Sequence, residues 1–387
     1  MQYNFDEVID RSNTKSFKYD YSKEMGVPEK AIPLWVADMD FQIPREATEA
    51  IMKSAQHAIY GYTITNDEYK RAVMDWFAKR FDFESKAEWI VTTPGVVFAL
   101  AVIVRAFTQE RDSVMIQKPV YHPFERIVVA NKRKLVENSL VYENGAYHID
   151  FDDFEQKIIE NDVRMFILCS PHNPVGRVWT KDELRRMGEI CLRHNCLVIS
   201  DEIHCDIIYE GYKHNVFSTI DASFLDNTII CTAPSKTFNL AGLQNSNIFI
   251  ANERLRGGFI KEYSKTGYEQ LNTMGVVASQ AVYEHGHIWL AELLQYLQGN
   301  LNFMKEFFKK HTKVKIVEPE GTYLVWLDFK DFGLSQDELD DLLLNKAQIW
   351  LSSGTSFGGQ GEGFQRINIA CPRKTLQCAL ERLEKVI

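Results

Sequence analysis

Short apolar runs alternate with helical patterns through the middle of the chain. Apolar side chains dominate residues 163–169, 196–200 and 227–232, and each run ends abruptly in polar residues. Between the first two runs, residues 181–194 have the spacing of an amphipathic helix. Continuous apolar strands separated by helices are typical of a parallel sheet that is covered on both faces. The pattern therefore predicts an α/β fold.

The last quarter of the chain has a different pattern. Residues 288–311 carry leucines and aromatic side chains at three- and four-residue spacing, which predicts a long amphipathic helix. Residues 321–327 and 364–370 follow it as apparent strands. A chain of 387 residues is long enough for two domains. We predict a large domain at 45–287, and a smaller α+β domain made from an N-terminal arm, 1–44, and the C-terminal part, 288–387.

Three polar side chains follow the predicted central strands. Asn173 lies after the first strand, Asp201 after the second, and Lys236 in an expected loop after the third. In open parallel sheets, ligands bind beyond the carboxyl ends of the strands. The three side chains are therefore expected to converge in one crevice, although they lie far apart in sequence.

An amine, a carboxylate and an amide at one site suit the chemistry of pyridoxal phosphate. Lys236 would hold the cofactor aldehyde covalently and later move a proton. Asp201 would pair with the ring nitrogen, and Asn173 would donate a hydrogen bond to the phenolic oxygen. Each residue also has an ordinary explanation: a lysine reaching water, a helix cap and an Asx-turn. Their common position at strand ends favours the cofactor.

The motifs around these residues resemble those of a known family. Asn173-Pro174 with Gly176, then Asp201, then Ser235-Lys236 resemble the pattern of the aminotransferase-type pyridoxal-phosphate enzymes of fold type I. The similarity covers nearly the whole chain. LWVADMDF at 34–41 resembles the hallmark of the carbon-sulfur lyase branch, the cystathionine beta-lyase-like proteins, and YHPF at 121–124 and SKTFNLAGL at 235–243 fit that branch.

The resemblance implies further cofactor contacts. TTPGVVF at 92–98 precedes an apolar helical stretch, and free amides at a helix N-terminus bind phosphate. An ordinary strand-to-helix turn would give the same pattern. Tyr121 would stack on the cofactor ring, and His204 would lie near a cofactor oxygen. The remaining contacts would be with the phosphate, from Gly95, Val96, Val97 and Ser235.

Substrate and subunit contacts are also implied. Arg366 resembles the arginine that binds the substrate carboxylate, a task that suits its planar fork. Ala37 lies in the hallmark motif and would contact the substrate. Tyr62 lies where this family reaches the phosphate of a partner subunit, so a homodimer with shared active sites is expected. Gln244 departs from the broader family, because many aminotransferases carry a phosphate-binding arginine at that position.

Composition excludes several other classes of function. The net charge is −9 and no long basic cluster occurs, so a nucleic-acid partner is not expected. The seven cysteines show no C-x-x-C spacing, which predicts reduced thiols and no bound metal. The first twenty residues are polar and unlike a signal peptide, and no apolar run approaches the ~20 residues of a membrane span. A cytoplasmic enzyme acting on a small amino acid is expected.

Three functions remain open from the sequence. The hallmark motif favours beta-elimination from cystathionine or a related S-substituted cysteine, which yields a thiol, pyruvate and ammonia. Transamination of an amino acid would use the same early steps. A regulatory binding protein on the same scaffold is the third possibility, although Lys236, Asp201, Asn173 and Arg366 are all present for catalysis.

Overall fold

The computed structural model describes residues 2–387, which form strands in several sheets and helices around them. The strands are β1 Ile32–Pro33, β2 Ile90–Thr93, β3 Ser113–Lys118, β4 Lys134–Ser139, β5 Val141–Glu143, β6 Ala146–His148, β7 Val163–Cys169, β8 Leu197–Asp201, β9 Thr228–Thr232, β10 Ser246–Phe249, β11 Lys315–Ile316, β12 Leu324–Asp328, β13 Ile349–Trp350, β14 Ser352–Ser353 and β15 Phe364–Asn368.

The α-helices are α1 Arg45–His57, α2 Asp67–Phe81, α3 Val96–Phe107, α4 Pro123–Ala130, α5 Phe151–Asn161, α6 Lys181–Arg193, α7 Pro234–Thr237, α8 Glu253–Ser264, α9 Thr273–His285, α10 His287–His311, α11 Gln336–Asp341 and α12 Arg373–Glu384. The helix predicted at 181–194 is α6. It begins at a capping box, in which Thr180 and Glu183 bond each other's backbone amides.

A seven-stranded sheet carries the middle of the chain, in the order β2-β10-β9-β8-β7-β3-β4. Strands β9, β8, β7, β3 and β4 pair in parallel, and β10 runs antiparallel to both β2 and β9. Side chains along β3 alternate between two hydrophobic clusters: Val114 and Ile116 join the cluster with α3, α4 and α8, and Met115 joins the other. The predicted α/β fold with a mainly parallel, doubly covered sheet is confirmed.

The C-terminal part forms a second, antiparallel sheet in the order β11-β12-β15-β14. Helix α10 leads into it, and its leucine stripe is buried as predicted, from Leu290 to Phe308. The N-terminal arm joins this part, because β1 pairs in parallel with β13. The domain boundaries at 44/45 and 287/288 stay a prediction.

The described residues contain no helix that is both long and apolar enough to cross a membrane. All seven cysteines are free thiols, and Cys378 alone among them is exposed.

Candidate active site

The predicted crevice lies at the carboxyl edge of the large sheet. Cys169, at the end of β7, pairs with Asp201 at the end of β8, and Asp201 pairs with Cys231 near the end of β9. Parallel pairing in register brings the segments that follow these strands to one place. A cavity of about 170 Å³ opens there.

Most of the predicted site residues lie together on the wall of this inner cavity. The sequence predicted the wall residues Ala37, Gly95, Val96, Val97, Tyr121, Asn173, Asp201, His204, Ser235 and Lys236. Residues that line it without an assigned role are Pro94, Cys169, Ile203, Ala241, Gln244 and Asn245. The roles proposed for individual residues stay predictions, but their convergence is a feature of the structure.

Lys236 lies in a short helix rather than in the expected loop. Pro234 occupies the first position of α7, where a fixed φ and a missing amide favour a helical turn. The turn is anchored from outside the cavity, because Thr237 Oγ1 donates to the buried Asp206 at 2.8 Å. Lys236 Nζ donates to the carbonyl oxygen of Ala37 at 2.7 Å. The pKa of Lys236 is lowered to about 8, mainly by withdrawal from water and also by the charge of Arg366, with Asp38 and Asp201 opposing the shift.

We expect Lys236→Met to stabilise the cofactor-free protein at pH 7. The pKa of Lys236 falls from 10.5 to about 8 on folding, so the ammonium disfavours the folded state below pH 8. The variant should gain about 2 kcal/mol in free energy of unfolding, with allowance for water in the cavity. Between pH 8 and 10.5 the unfolded state binds more protons, so the wild-type protein recovers stability as pH rises. Urea unfolding at pH 7 and pH 10 checks this, and an equal gain at both would contradict it.

Asp201 is a buried carboxyl group that faces the cavity. Its pKa is raised to about 7, mainly by burial and also by the neighbouring Glu202, while the amide of Ile203 and the charge of Lys236 oppose the shift. Glu202 points away from the cavity and binds His214 Nε2 at 2.8 Å. A cationic ring nitrogen beside Asp201 would favour its ionised form. The site therefore has a buried carboxyl group that a positively charged ligand atom would stabilise in its ionised form.

Helix α3 begins at the cavity wall. Gly95 precedes its first residue, Val96, and no side chain caps the helix. The first amides of a helix have no partner within it and attract anions. A Cβ atom on Gly95 would meet nothing within 4 Å, so there is open space beside these amides. Ser235 lies on the same wall, and so does Gln244, which brings no positive charge.

His204 and Tyr121 complete the inner cavity. His204 is buried, its Nδ1 has no hydrogen-bond partner in the described chain, and its pKa is lowered to about 3 by burial. It is therefore neutral at physiological pH. Tyr121 packs edge-on against Phe124, with ring centroids 5.9 Å apart, and burial raises its pKa. Its predicted stacking on the cofactor stays a prediction.

Arg366 lies on β15 at the border between the inner cavity and a larger outer cavity of about 580 Å³. Ala37, Tyr121 and Lys236 line both cavities, which are therefore adjoining. The guanidinium is 5 % exposed, and burial lowers its pKa to about 10. The outer cavity is thus lined by a buried cation near the reactive amine.

Neutral groups surround the Arg366 guanidinium. It donates to Asn173 Oδ1 at 3.0 Å, to the carbonyl oxygen of Trp35 at 2.6 Å and to Ser352 Oγ at 3.1 Å. Its Nε is buried without a partner, and no carboxylate of the described residues forms an ion pair with it. A buried charge without a counter-ion is costly, and a ligand carboxylate would relieve that cost. Asn173 Oδ1 accepts from Arg366, which orients the side-chain amide so that its nitrogen is available to donate to the inner cavity.

The hallmark motif forms a strap, residues 34–41, whose backbone carbonyls are bound by side chains of the site. Besides Lys236, Tyr323 donates to the carbonyl oxygen of Ala37 at 3.0 Å. Asn368 donates to those of Val36 and Asp38, at 2.8 and 2.6 Å. Asn239 bonds both the amide and the carbonyl of Met39, each at 2.9 Å. Sequence reasoning assigned no role to Tyr323, Asn368 or Asn239, although all three lie inside segments that it singled out.

Tyr62 is not part of either cavity. It lies between α1 and α2, is 96 % exposed, and lines a separate shallow hollow with Tyr60 and Thr273. Within one chain it does not reach the inner cavity. Its predicted contact with a partner subunit stays a prediction.

The groups present fit pyridoxal phosphate. The amine of Lys236 and the carboxyl group of Asp201 face one cavity, and open space lies beside a helix N-terminus that would accept a phosphate. Arg366, whose buried Nε has no hydrogen-bond partner among the described residues, lines the adjoining outer cavity.

Comparison with known proteins agrees with this geometry. The family model described as aminotransferase class I and II matches residues 29–383. The cystathionine beta-lyase PatB of Bacillus subtilis is 42 % identical over 385 residues, which are 99 % of this chain and 100 % of the relative.

Two solved structures are also similar. Cystalysin from Treponema denticola, which contains pyridoxal 5'-phosphate, has a TM-score of 0.96 and 40 % identity, covering 100 % of this chain and 99 % of that one. The pyridoxal-phosphate-bound C-S lyase of Staphylococcus hominis has a TM-score of 0.92 and 34 % identity, covering 99 % and 98 %. The resemblance inferred from the motifs is confirmed, and the chain belongs to the family of class I and II aminotransferases.

Proposed function

We propose that the chain is a carbon-sulfur β-lyase that cleaves cystathionine or a related S-substituted cysteine to a thiol, pyruvate and ammonia. The cofactor is pyridoxal phosphate. The main observation behind the proposal is that two side chains line the same outer cavity. They are Lys236, an amine with a lowered pKa, and Arg366, a buried guanidinium that forms no ion pair among the described residues. The identity to PatB supports the lyase branch.

The residues of the chain divide the chemical work. Pyridoxal phosphate, when bound, withdraws electrons from the α-carbon of the substrate. Arg366 binds the substrate carboxylate and so fixes the α-carbon. Lys236, whose lowered pKa leaves part of it unprotonated near neutral pH, takes the α-proton. The carbon-sulfur bond then breaks, the thiol leaves, and water converts the remaining three-carbon unit to pyruvate and ammonia.

The proposal is tested with cystathionine and the complete enzyme. Thiol, pyruvate and ammonia should appear in equal amounts over many turnovers. Transamination would instead leave the cofactor as pyridoxamine phosphate and release no thiol. That result would replace the lyase by an aminotransferase, and Gln244 gives a reason to expect the lyase, since it brings no charge to the phosphate site.

The working enzyme, in this proposal, is a cytoplasmic homodimer with shared active sites. Apolar side chains beside Tyr62 are well exposed on one chain: Ile59 is 71 % and Ile64 is 74 % exposed. A second copy would cover them and bring Tyr62 to the phosphate of its neighbour. The free thiols support a reducing compartment.

Mixed dimers give a specific test of the shared site. Tyr62→Phe should weaken cofactor binding about tenfold, because one hydrogen bond to a charged phosphate is lost. Lys236→Ala should be inactive alone. When the two variants are refolded together, hybrids contain one site with both native residues. At a cofactor concentration near the wild-type Kd, where Tyr62→Phe is mostly unloaded, activity should rise above that of either parent. No rise, with hybrids shown by mass spectrometry, would contradict sharing through Tyr62.

A further inference from the structure

The outer cavity has a chemical character that the β-lyase reaction alone does not require. Its inner end holds Lys236 and Arg366, where the amino acid part of a substrate would react. Much of the remaining wall is aromatic and aliphatic, with Phe17, Trp35, Leu343, Leu344, Ile349 and Trp350, while the Phe357 ring lies 4.9 Å from the Arg366 guanidinium. A substrate held at the inner end therefore projects its sulfur substituent among apolar side chains.

Two tryptophans form a part of this apolar wall that is held in place by ring stacking and by backbone hydrogen bonds. The rings of Trp35 and Trp350 stack with centroids 4.3 Å apart and planes 16° apart. The backbone fixes them, because β1 pairs with β13 and the amide of Leu34 donates to the carbonyl oxygen of Trp350 at 2.9 Å. Phe17 extends the wall, with its ring 5.2 Å from that of Trp35.

The same strap joins the wall to the carboxylate site. The carbonyl oxygen of Trp35 accepts from Arg366 at 2.6 Å, while the side chain of Trp35 faces the outer cavity. The apolar wall is therefore held at a fixed position relative to the guanidinium. A fixed wall can discriminate between sulfur substituents by size.

The wall of the outer cavity also carries a positive charge. Arg126, on α4, is exposed at the cavity and forms no ion pair with any residue from 2 to 387. Its neighbour His122 is exposed at its edge, but partial loss of hydration and the nearby charges of Arg366 and Arg126 lower its pKa, so the ring stays neutral at physiological pH. Asp340, also on the wall, accepts hydrogen bonds from Gln336 and Gln365 on one oxygen, Oδ1. Arg126 is the cation available to a ligand.

We propose, building on the proposed lyase function, that the preferred substrate is an S-substituted cysteine whose substituent is bulky and apolar and ends in a carboxylate. The apolar part packs against Trp35 and Trp350, and the carboxylate pairs with Arg126. Cystathionine fits less well. Its far ammonium group would be brought close to the apolar wall and to Arg126, with a desolvation cost and a repulsion that outweigh its attraction to the unoccupied oxygen of Asp340.

The test compares kcat/KM for pyruvate release from four substrates: S-methyl-, S-benzyl- and S-(4-carboxybenzyl)-L-cysteine, and L-cystathionine. Burial of a phenyl ring should favour the benzyl over the methyl compound by roughly ten- to hundredfold. The added carboxylate should give a further gain of about threefold, which decreases with salt. Cystathionine should fall below the carboxybenzyl compound.

Variants assign these ratios to residues. Trp350→Leu should lower the benzyl-to-methyl ratio, and Leu344→Gln, at a partly exposed position, gives the same test with less risk to folding. Arg126→Gln should remove the gain from the carboxylate and its salt dependence. Ile159→Gln and Arg71→Gln, exposed side chains on α5 and α2, are matched controls that should leave every ratio unchanged.

The outcomes separate this proposal from the lyase function. Pyruvate from all four substrates at similar kcat/KM, or ratios that Leu344→Gln and Arg126→Gln leave unchanged, would overturn the substrate assignment alone. A complete absence of pyruvate would overturn the lyase function, and the substrate assignment with it.

Discussion

Replacing Lys236 with alanine is expected to lower pyruvate formation by about four orders of magnitude. Among residues 2–387, its amine is the one basic group that lines both cavities, and it lies 2.7 Å from a carbonyl oxygen of the strap. Loss of the α-proton acceptor alone removes up to about 10⁴-fold in rate. The variant also loses the group that holds the cofactor covalently.

The measurement combines pyruvate release with the visible absorbance of the lysine-bound cofactor. Both should be lost in Lys236→Ala, while the fold, checked by circular dichroism, is kept. Lys265→Ala is the control, since Lys265 is exposed and pairs with Glu262 on the protein surface. Residual turnover within tenfold of wild type would exclude Lys236 as the base. A cellular role that survives in the inactive variant would instead support the regulatory binding protein.

The site at the carboxyl edge of the large sheet could be predicted, because the residues around each strand end are enough to locate that end. Strands β7 and β8 are continuous apolar runs, and each run marks its own end by the change to polar residues. Parallel connection then requires those ends to lie together. Asn173 and Asp201 were placed correctly at the cavity for this physical reason.

The bonds between distant segments could not be predicted in the same way. Arg366 and Asn173 are hydrogen-bonded but lie 193 positions apart. Asn368 and the strap it holds are more than 300 positions apart. No periodicity within either segment predicts these hydrogen bonds, which form only when the two segments are packed together in the folded chain. The role of Tyr62 is harder still to predict, because the contact that it requires is with a second chain.

The short helix at Lys236 shows how tertiary contacts override local pattern. A four-residue helix is too short to be stable by itself. Its hydrogen bond from Thr237 to Asp206, which also accepts from Arg80 at 2.7 Å, supplies the missing support. The sequence predicted a loop at Lys236. The structure has a short helix there instead, which tertiary hydrogen bonds hold in place.

Arg366→Gln is expected to lower kcat/KM for S-substituted cysteines by about a hundred- to thousandfold, mostly through KM. The buried guanidinium has an unpartnered Nε and no counter-ion, so the substrate carboxylate gains a pairing that glutamine cannot offer. Arg366→Lys should recover only part of the loss, because an ammonium group keeps the charge but lacks the planar fork. Arg164→Gln, an exposed arginine on β7, is the control.

A substrate without a carboxylate separates binding from structural damage. Arg366 also bonds the carbonyl oxygen of Trp35 and Ser352, so its removal could loosen the strap as well as the substrate. With S-benzyl-L-cysteinamide, wild type and Arg366→Gln should react at similar, low rates, because neither enzyme can pair with the missing carboxylate. An equal loss on the amide and the acid would show that Arg366 acts by holding the strap. A loss confined to the acid assigns its role to the carboxylate itself.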